Sequence, residues 1–157
     1  MQRRAILLTF LMLLTCSSDA DAQSAKDLVG TWKLVSNVAE RDGKIVDNFG
    51  PSPKGILILH GNGHYSVMVM RADLPKFASS REKATADEAL GVVKGSLAYF
   101  GTYTVDEGGK MLISKIEGST FPNWTGETQK RPFVLAGDQL KLINPLTSST
   151  ITWQRIK

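Results

Sequence analysis

The sequence predicts an all-β protein, an eight-stranded antiparallel up-and-down barrel with one short helix after the third strand. Three observations indicate this fold: a strong hairpin signal, eight short β-prone segments, and short connections between most neighbouring segments. The hairpin signal lies in residues 55–71, where two runs rich in Ile, Leu, Val and Met flank Gly61-Asn62-Gly63, a connector typical of tight hairpins. Short turns favour the barrel over a β-sandwich, the alternative, because a sandwich needs long return connections.

The first half of the chain contributes three predicted strands. Residues 28–36 form the first, and strict alternation places Trp32, Leu34 and Ser36 on one face, which we expect to point inwards. The segment at residues 48–53 reads as a loop, because its two prolines are incompatible with a central strand. The hairpin strands, residues 55–59 and 64–71, complete the set.

The only predicted helix spans residues 85–94. Thr85 and Glu88 form a capping box at its start, and acidic residues in its first turn suit the helix dipole. The preceding segment, residues 72–81, is either a loop that covers a barrel mouth or a simple crossover. The remaining five predicted strands follow at residues 98–105, 110–117, 127–135, 139–144 and 149–156.

Length and composition indicate a single domain with an ordinary core. The chain has 157 residues, of which 42% are hydrophobic and 22% are charged, enough for one core without metal or disulfide support. The formal net charge is +4, but the basic residues are scattered and no run is longer than Lys130-Arg131. We therefore expect no nucleic-acid partner.

Residues 1–22 are predicted to be a cleaved signal peptide. Two arginines precede a short apolar run over residues 5–14, and Ala20-Asp21-Ala22 supplies a small-x-small cleavage pattern. The mature domain then spans residues 23–157, and the protein is secreted or periplasmic. Cys16, the only cysteine, lies within this segment, so the mature chain has no disulfide. In the alternative reading Cys16 is lipidated, and only then is a membrane expected as a partner.

Polar residues inside otherwise apolar strands are the candidate ligand-binding groups. Tyrosine hydroxyls and guanidinium groups that point into an apolar cup can hold a carboxylate or carbonyl group of a ligand. Trp32 is included as an inward residue of the first strand, and Trp124, beside Phe121 in a loop, as a rim residue. The predicted ligand-binding residues are Trp32, Tyr65, Arg71, Tyr99, Tyr103, Trp124, Gln129 and Arg131.

Groups that would support catalysis or metal binding are scarce. The mature chain has no cysteine and no Gly-x-Ser-x-Gly motif, so no catalytic residue is predicted. His60 and His64 flank the hairpin connector, but no third ligand is close in sequence. We therefore expect no metal and no cofactor.

The sequence resembles the bacterial and fungal lipocalin-like domain proteins of the calycin superfamily. Gly30-Thr31-Trp32 is similar to the G-x-W signature of lipocalins, and the resemblance extends through residues 55–71, 95–103 and 124–133. It implies a cup-shaped barrel for a small, largely apolar molecule. The chain departs from secreted animal lipocalins in lacking a disulfide and in placing its helix after the third strand.

These observations predict an exported protein that binds a small hydrophobic or amphipathic molecule inside the barrel. Two other functions remain open. The same pocket suits an isomerase or cyclase, because such an enzyme needs little beyond shape and one or two polar groups. A small exported barrel also suits an inhibitor or interaction protein that acts through its loops, here residues 72–81 or 121–124.

Overall fold

The computed structural model describes residues 24–108 and 110–157, which form nine strands and two α-helices. The predicted signal peptide and the predicted first mature residue lie outside them. The strands are β1 (Gly30–Arg41), β2 (Lys44–Asp47), β3 (Lys54–Leu59), β4 (His64–Met70), β5 (Ser96–Asp106), β6 (Met111–Ser119), β7 (Thr128–Ala136), β8 (Gln139–Asn144) and β9 (Ser149–Arg155). The helices are α1 (Ala25–Leu28) and α2 (Ala86–Gly95), with 3-10 turns at Arg81–Lys83 and Pro122–Trp124.

Eight strands close into an antiparallel barrel, which confirms the predicted fold class. Each of β3 to β9 pairs with its sequence neighbour, and β1 pairs with both β3 and β9, so the sheet has no free edge along the barrel wall. The ninth strand, β2, was not predicted. It pairs with residues 38–41 of β1. This part of β1 lies beyond residues 30–33, which pair with β3.

The helix α2 lies between β4 and β5, after the third barrel strand as predicted. Thr85 caps it, accepting a hydrogen bond from the backbone N–H of Glu88, while the Glu88 carboxylate accepts one from the backbone N–H of Thr85. Both N-terminal donors are thus satisfied. Within the described residues, no helix has the length and apolarity needed to cross a membrane.

The core follows the predicted alternation in β4 but departs from it in β1. Tyr65, Val67 and Val69 are buried, so they share the inward face on which Tyr65 was predicted as a ligand-binding residue. In β1 the pairing with β9 has a β-bulge between Leu34 and Ser36. A bulge inserts one residue and reverses the side-chain alternation beyond it, so Asn37, and not Ser36 as predicted, is the next buried residue.

The two ends of the barrel are built differently. One end carries tight turns that begin at residues 60, 107 and 137, together with α1. The other carries the β1–β2 hairpin, the segment between β4 and β5 that contains α2, and the loop with the second 3-10 turn. We call these the closed end and the open end.

Trp32 seals the closed end. Its indole Nε1 donates to the Leu28 carbonyl oxygen at 3.0 Å, and the Arg155 guanidinium lies 4.0 Å from the centre of its ring. Arg155 also donates to the carbonyl oxygens of Val29 and Asp27. A Cβ at Gly30, where φ is +145°, would lie 2.7 Å from the Arg155 guanidinium, so this close packing requires glycine.

Candidate functional site

A cavity of about 250 Å³ opens at the open end of the barrel. Its walls come from β1, β4, β5, β7, β8 and β9, so the closure of the barrel creates it. Half of the wall residues from the strands are apolar or aromatic, and several residues at the mouth are polar. The lining residues are Asn37, Arg41, Asn48, Phe49, Val67, Val69, Leu97, Tyr99, Trp124, Arg131, Asn144, Thr147, Ser149 and Ile151.

A smaller chamber of about 20 Å³ lies deeper in the interior. We call it the inner chamber. Val67, Tyr99, Arg131 and Ile151 line both spaces, so these four residues mark the boundary between them. The other residues of the inner chamber are Leu57, Tyr65, Leu112, Ser114, Gln129, Leu142 and Trp153.

Four aromatic side chains lead from the rim to the inner chamber. Phe121 and Trp124 have ring centres 5.7 Å apart, Trp124 and Tyr99 are 5.5 Å apart, and Tyr99 and Tyr65 are 6.0 Å apart. All three pairs are edge-to-face, a favourable geometry for aromatic rings. The row gives the cavity an aromatic side, where a flat apolar ligand can pack.

A second part of the mouth, at β1 and the end of β2, is polar. Arg41 donates to the side-chain oxygen of Asn48 at 2.9 Å, and Asn48 donates to that of Asn37 at 2.9 Å. The backbone N–H of Asn48 also donates to the carbonyl oxygen of Asn37. This network joins β1 to the end of β2, so the added strand β2 fixes the polar side of the mouth.

Arg131 is a partly buried cation in the cavity wall. Its Nη2 donates to the Gln129 side-chain oxygen at 2.9 Å. The ion pairs of the described residues involve Arg71, Arg81, Arg155 and Lys157, and none of them includes Arg131. Burial lowers the pKa of Arg131, opposed by the nearby hydroxyls of Tyr99 and Tyr65. The guanidinium thus remains charged, without a carboxylate partner from the described chain.

Two hydrogen-bond donors at the inner chamber also lack a partner. The hydroxyl of Tyr65 and the Nε1 of Trp153 are buried and make no hydrogen bond of ordinary geometry within the described residues, and the Ser114 side chain is close enough to the Tyr65 hydroxyl to lower its pKa. Burial raises the pKa of Tyr65 to about 12 and raises that of Tyr99 as well, so both phenols are neutral and able to donate at neutral pH. Unpartnered buried polar groups are rare in native proteins and indicate a missing partner.

Five of the predicted ligand-binding residues meet at these two spaces. Trp124 lines the outer cavity, Tyr99 and Arg131 line both spaces, and Tyr65 and Gln129 line the inner chamber. Their placement follows from the closed barrel, because β4, β5 and β7 contribute inward residues at a similar height.

The other three predicted residues lie elsewhere. Trp32 seals the closed end, and Tyr103 donates its hydroxyl to the His60 carbonyl oxygen at 2.8 Å near the same end. Arg71 follows the last residue of β4 and forms an exposed ion pair with Asp73 at 2.9 Å. These three side chains do not line the cavity, and we leave them out of the site.

Several lining residues were not predicted. Trp153 is an inward residue of β9, and the predicted alternation of that strand was a usable signal for it. Phe49 was overlooked because it lies in a segment read as a loop. Ser114 and Asn37 are buried polar residues that gave no signal, because short polar side chains also occur on outward faces.

The segment 72–81 does not line the cavity. A Cβ at Gly91 or Gly95 of α2 would touch Pro75 or Leu74, and the backbone N–H of Ala78 donates to Glu88 at 2.8 Å, so the segment packs on α2. A groove of about 320 Å³ beside α2 shares Phe49, Leu97 and Trp124 with the cavity and also contains Phe121. Phe121 therefore lies at the rim, as expected.

The described residues contain no cluster of three or more His, Cys, Asp or Glu side chains suited to a metal ion. His60 and His64 are both exposed at the closed end.

A closed antiparallel barrel with an interior cavity open at one end is the architecture of a lipocalin-type binding barrel. The model of the lipocalin-like domain family matches residues 29–156, nearly the whole described chain. This protein belongs to the lipocalin-like domain family, which confirms the resemblance found in the sequence.

A curated relative is 33% identical over 106 residues, which span 58% of this chain and 96% of the relative. It is the 4'-hydroxy-3'-methoxypropiophenone carrier protein of Aspergillus oryzae. Among solved structures, two substituted forms of the fluorescent protein UnaG are similar, at 12% and 13% identity. Their TM-scores are 0.37 and 0.38, they cover 84% and 85% of this chain, and this chain covers 98% and 99% of theirs.

Proposed function

We propose that this protein binds and carries a small amphipathic molecule in the barrel cavity. The observation that carries the proposal is a cavity of about 250 Å³ that is open at one end, combines apolar and aromatic wall residues with polar ones, and is lined by a guanidinium without a carboxylate partner among the described residues. Ligand sites in proteins combine mostly apolar walls with a few placed polar groups. Arg131 and Tyr99 are the polar groups, and Trp124 supplies an aromatic wall.

The size of the cavity supports a small ligand. Sites for drug-sized molecules have volumes of roughly 300–1,000 Å³, and this cavity lies just below that range, so a single aromatic ring with short substituents is the expected scale. The Aspergillus oryzae relative is named as a carrier of 4'-hydroxy-3'-methoxypropiophenone, an aryl ketone of this size. That likeness supports a small aromatic molecule as the ligand. It also supports a protein that carries its ligand without catalysing a reaction.

Native mass spectrometry of the protein from its own host, before and after organic extraction, tests the proposal. We expect a reproducible small-molecule adduct that extraction removes. Calorimetric titration of the extracted protein with 4'-hydroxy-3'-methoxypropiophenone then measures binding directly. A bare protein that also fails to bind the ketone would overturn the proposal.

A matched pair of substitutions locates the binding space. Ile151→Phe adds volume inside the cavity, whereas Ile156→Phe adds the same volume at an exposed position after β9. We expect Ile151→Phe to weaken binding by roughly 10-fold or more, because filling the cavity displaces ligand atoms from apolar contacts. Ile156→Phe keeps the wild-type affinity, and equal losses in both variants would contradict an interior site.

We also propose that the protein is exported, with cleavage after Ala22. The basic start, short apolar run and small-x-small pattern of residues 1–22 support this. The intact mass of protein from the periplasm or medium tests it. A mass that begins at Gln23 is expected, a lipid-modified mass that begins at Cys16 supports the alternative anchor, and full-length protein retained in the cytoplasm contradicts export.

A further inference from the structure

The inner chamber is lined by an excess of hydrogen-bond donors. Tyr65 and Trp153, which are 4% and 1% exposed, each present a donor without a partner in the described chain. Arg131 adds a guanidinium with five N–H donors, of which Gln129 accepts one. Ser114, the other polar residue there, donates to the Gln129 carbonyl oxygen at 3.4 Å.

Acceptors are scarce around these donors. The Gln129 side-chain oxygen is already engaged by Arg131, and the one other side-chain acceptor of the inner chamber is the Ser114 hydroxyl, which lies close to Tyr65. A buried donor without an acceptor costs about 1–3 kcal/mol, and a buried cation is normally paired. The missing partner therefore has two properties: it offers oxygen acceptors and it carries negative charge.

The dimensions limit that partner further. The inner chamber has a volume of about 20 Å³, which is close to what one water molecule or one oxygen-sized group occupies. A carboxylate fits, because one of its oxygens can enter the chamber while the other stays at the boundary beside Arg131. A phosphate or sulfonate would leave two oxygens at the boundary, where Val67 and Ile151 are apolar and Arg131 is the charged group.

We propose that the cavity binds a monocarboxylic acid with its carboxylate first, held by Arg131, Tyr65 and Trp153, and with its apolar part along Tyr99 and Trp124. This inference rests on the proposed carrier function and specifies the ligand class and orientation. Charge-assisted hydrogen bonds to a carboxylate are roughly twice as strong as neutral ones, so the carboxylate supplies selectivity while the aromatic row supplies apolar contact.

The test compares three probes of nearly equal size by calorimetry on the extracted wild-type protein. They are 3-phenylpropanoate, its ketone isostere 4-phenylbutan-2-one, and 3-phenylpropylamine. We expect the acid to bind at least roughly 10-fold more tightly than the ketone, and the amine to bind least, because it brings a cation to Arg131. This ranking needs no substituted protein.

Substitutions then test whether Arg131 causes the preference for the acid over the ketone. Arg131→Met removes the charge and keeps most of the apolar stem, and we expect the acid to lose roughly 10-fold or more in affinity while the ketone changes little. Arg131→Lys restores part of the acid's advantage. Arg71→Met, which removes an exposed arginine outside the cavity, serves as the matched control and leaves both affinities unchanged.

Two outcomes overturn the inference and differ from failure of the carrier function. If acid and ketone bind equally to wild type, the inner chamber holds only water and the head-first orientation is wrong, although the cavity still binds ligands. If the acid is preferred but Arg131→Met and Arg71→Met weaken it equally, the selectivity does not arise at the inner chamber. Absence of binding for all three probes and for 4'-hydroxy-3'-methoxypropiophenone contradicts the carrier function itself.

Discussion

Arg155 at the closed end and Arg131 in the cavity wall are both close to aromatic side chains, but within the described residues Arg155 has a carboxylate partner and Arg131 does not. Arg155 lies over Trp32, donates to carbonyl oxygens before β1 and is 3.6 Å from an Asp138 carboxylate oxygen. Arg131 has one side-chain acceptor, Gln129. Arg155 uses its N–H donors for contacts within the fold. Arg131 donates to one side chain and has further N–H donors.

The same contrast holds for the neutral donors at the two sites. At the closed end, the Trp32 indole and the Tyr103 hydroxyl each donate to a backbone carbonyl oxygen. In the inner chamber, Trp153 and Tyr65 have the same donor groups and no hydrogen bond of ordinary geometry within the described residues. Equivalent side chains therefore make internal hydrogen bonds at one site and not at the other, and substitutions test whether this difference affects stability.

The largest expected effect on the free energy of unfolding is at Trp32. Trp32→Ala removes a fully buried indole, and large aromatic-to-alanine changes in cores cost about 3–5 kcal/mol. Trp124→Ala is the matched change at the open end, where the ring already faces the cavity, and we expect roughly half that loss or less. Urea unfolding measures both, and equal losses would mean that the two ends do not differ in their contribution to stability.

The two arginines give the next largest contrast. Arg155→Met removes a cation–π contact and charge-assisted hydrogen bonds to two carbonyl oxygens, for which we expect a loss of about 2–3 kcal/mol. Arg131→Met removes a partly buried cation without a carboxylate partner, so we expect stability to remain within about 0.5 kcal/mol of wild type or to rise. Urea unfolding of ligand-free protein checks both values, and a larger loss for Arg131→Met would show that its partners lie within the chain.

The sequence predicts which face of a strand a residue occupies better than it predicts its height along the barrel. Tyr65 and Val67 point inwards as alternation requires, because the β3–β4 ladder is regular. Trp32 and Tyr103 also point inwards, but at the closed end, away from the cavity. Height depends on the register of strands that are distant in sequence, and alternation within one strand carries no information about that register.

A β-bulge and the closure of the barrel account for the other differences between the predicted and the observed inward residues. The bulge between Leu34 and Ser36 moves the inward position to Asn37, and nothing in the local composition indicates where the extra residue falls. Trp153 joins the inner chamber because β9 pairs with both β1 and β8. That closure brings together residues more than a hundred positions apart, so it becomes visible only in the folded barrel.

Replacing a tyrosine by phenylalanine at the closed end and in the inner chamber is expected to have a smaller effect on stability. Tyr103→Phe deletes a hydroxyl that donates to His60, and we expect a loss of about 1 kcal/mol. Tyr65→Phe deletes a buried hydroxyl without a partner, so stability remains unchanged or increases by up to about 1 kcal/mol. Urea unfolding of the ligand-free variants measures this difference, and its sign tests whether the Tyr65 hydroxyl is unpaired in solution.

The smallest effect is the acid dependence of the closed end. The hydrogen bond from Lys157 holds the pKa of Asp138 below its ordinary value of 3.8, and the charges of Lys157 and Arg155 add to this shift. A carboxyl group with a lowered pKa in the folded state stabilises the protein above its unfolded pKa, and that stability is lost as the pH falls through the folded value. Asp138→Asn removes this contribution, so its urea midpoint should fall below wild type at pH 7 and approach it near pH 2. Asp42→Asn, a change in an exposed turn at the open end, is the control, and a gap between Asp138→Asn and wild type that persists at low pH would assign the loss to packing and not to ionisation.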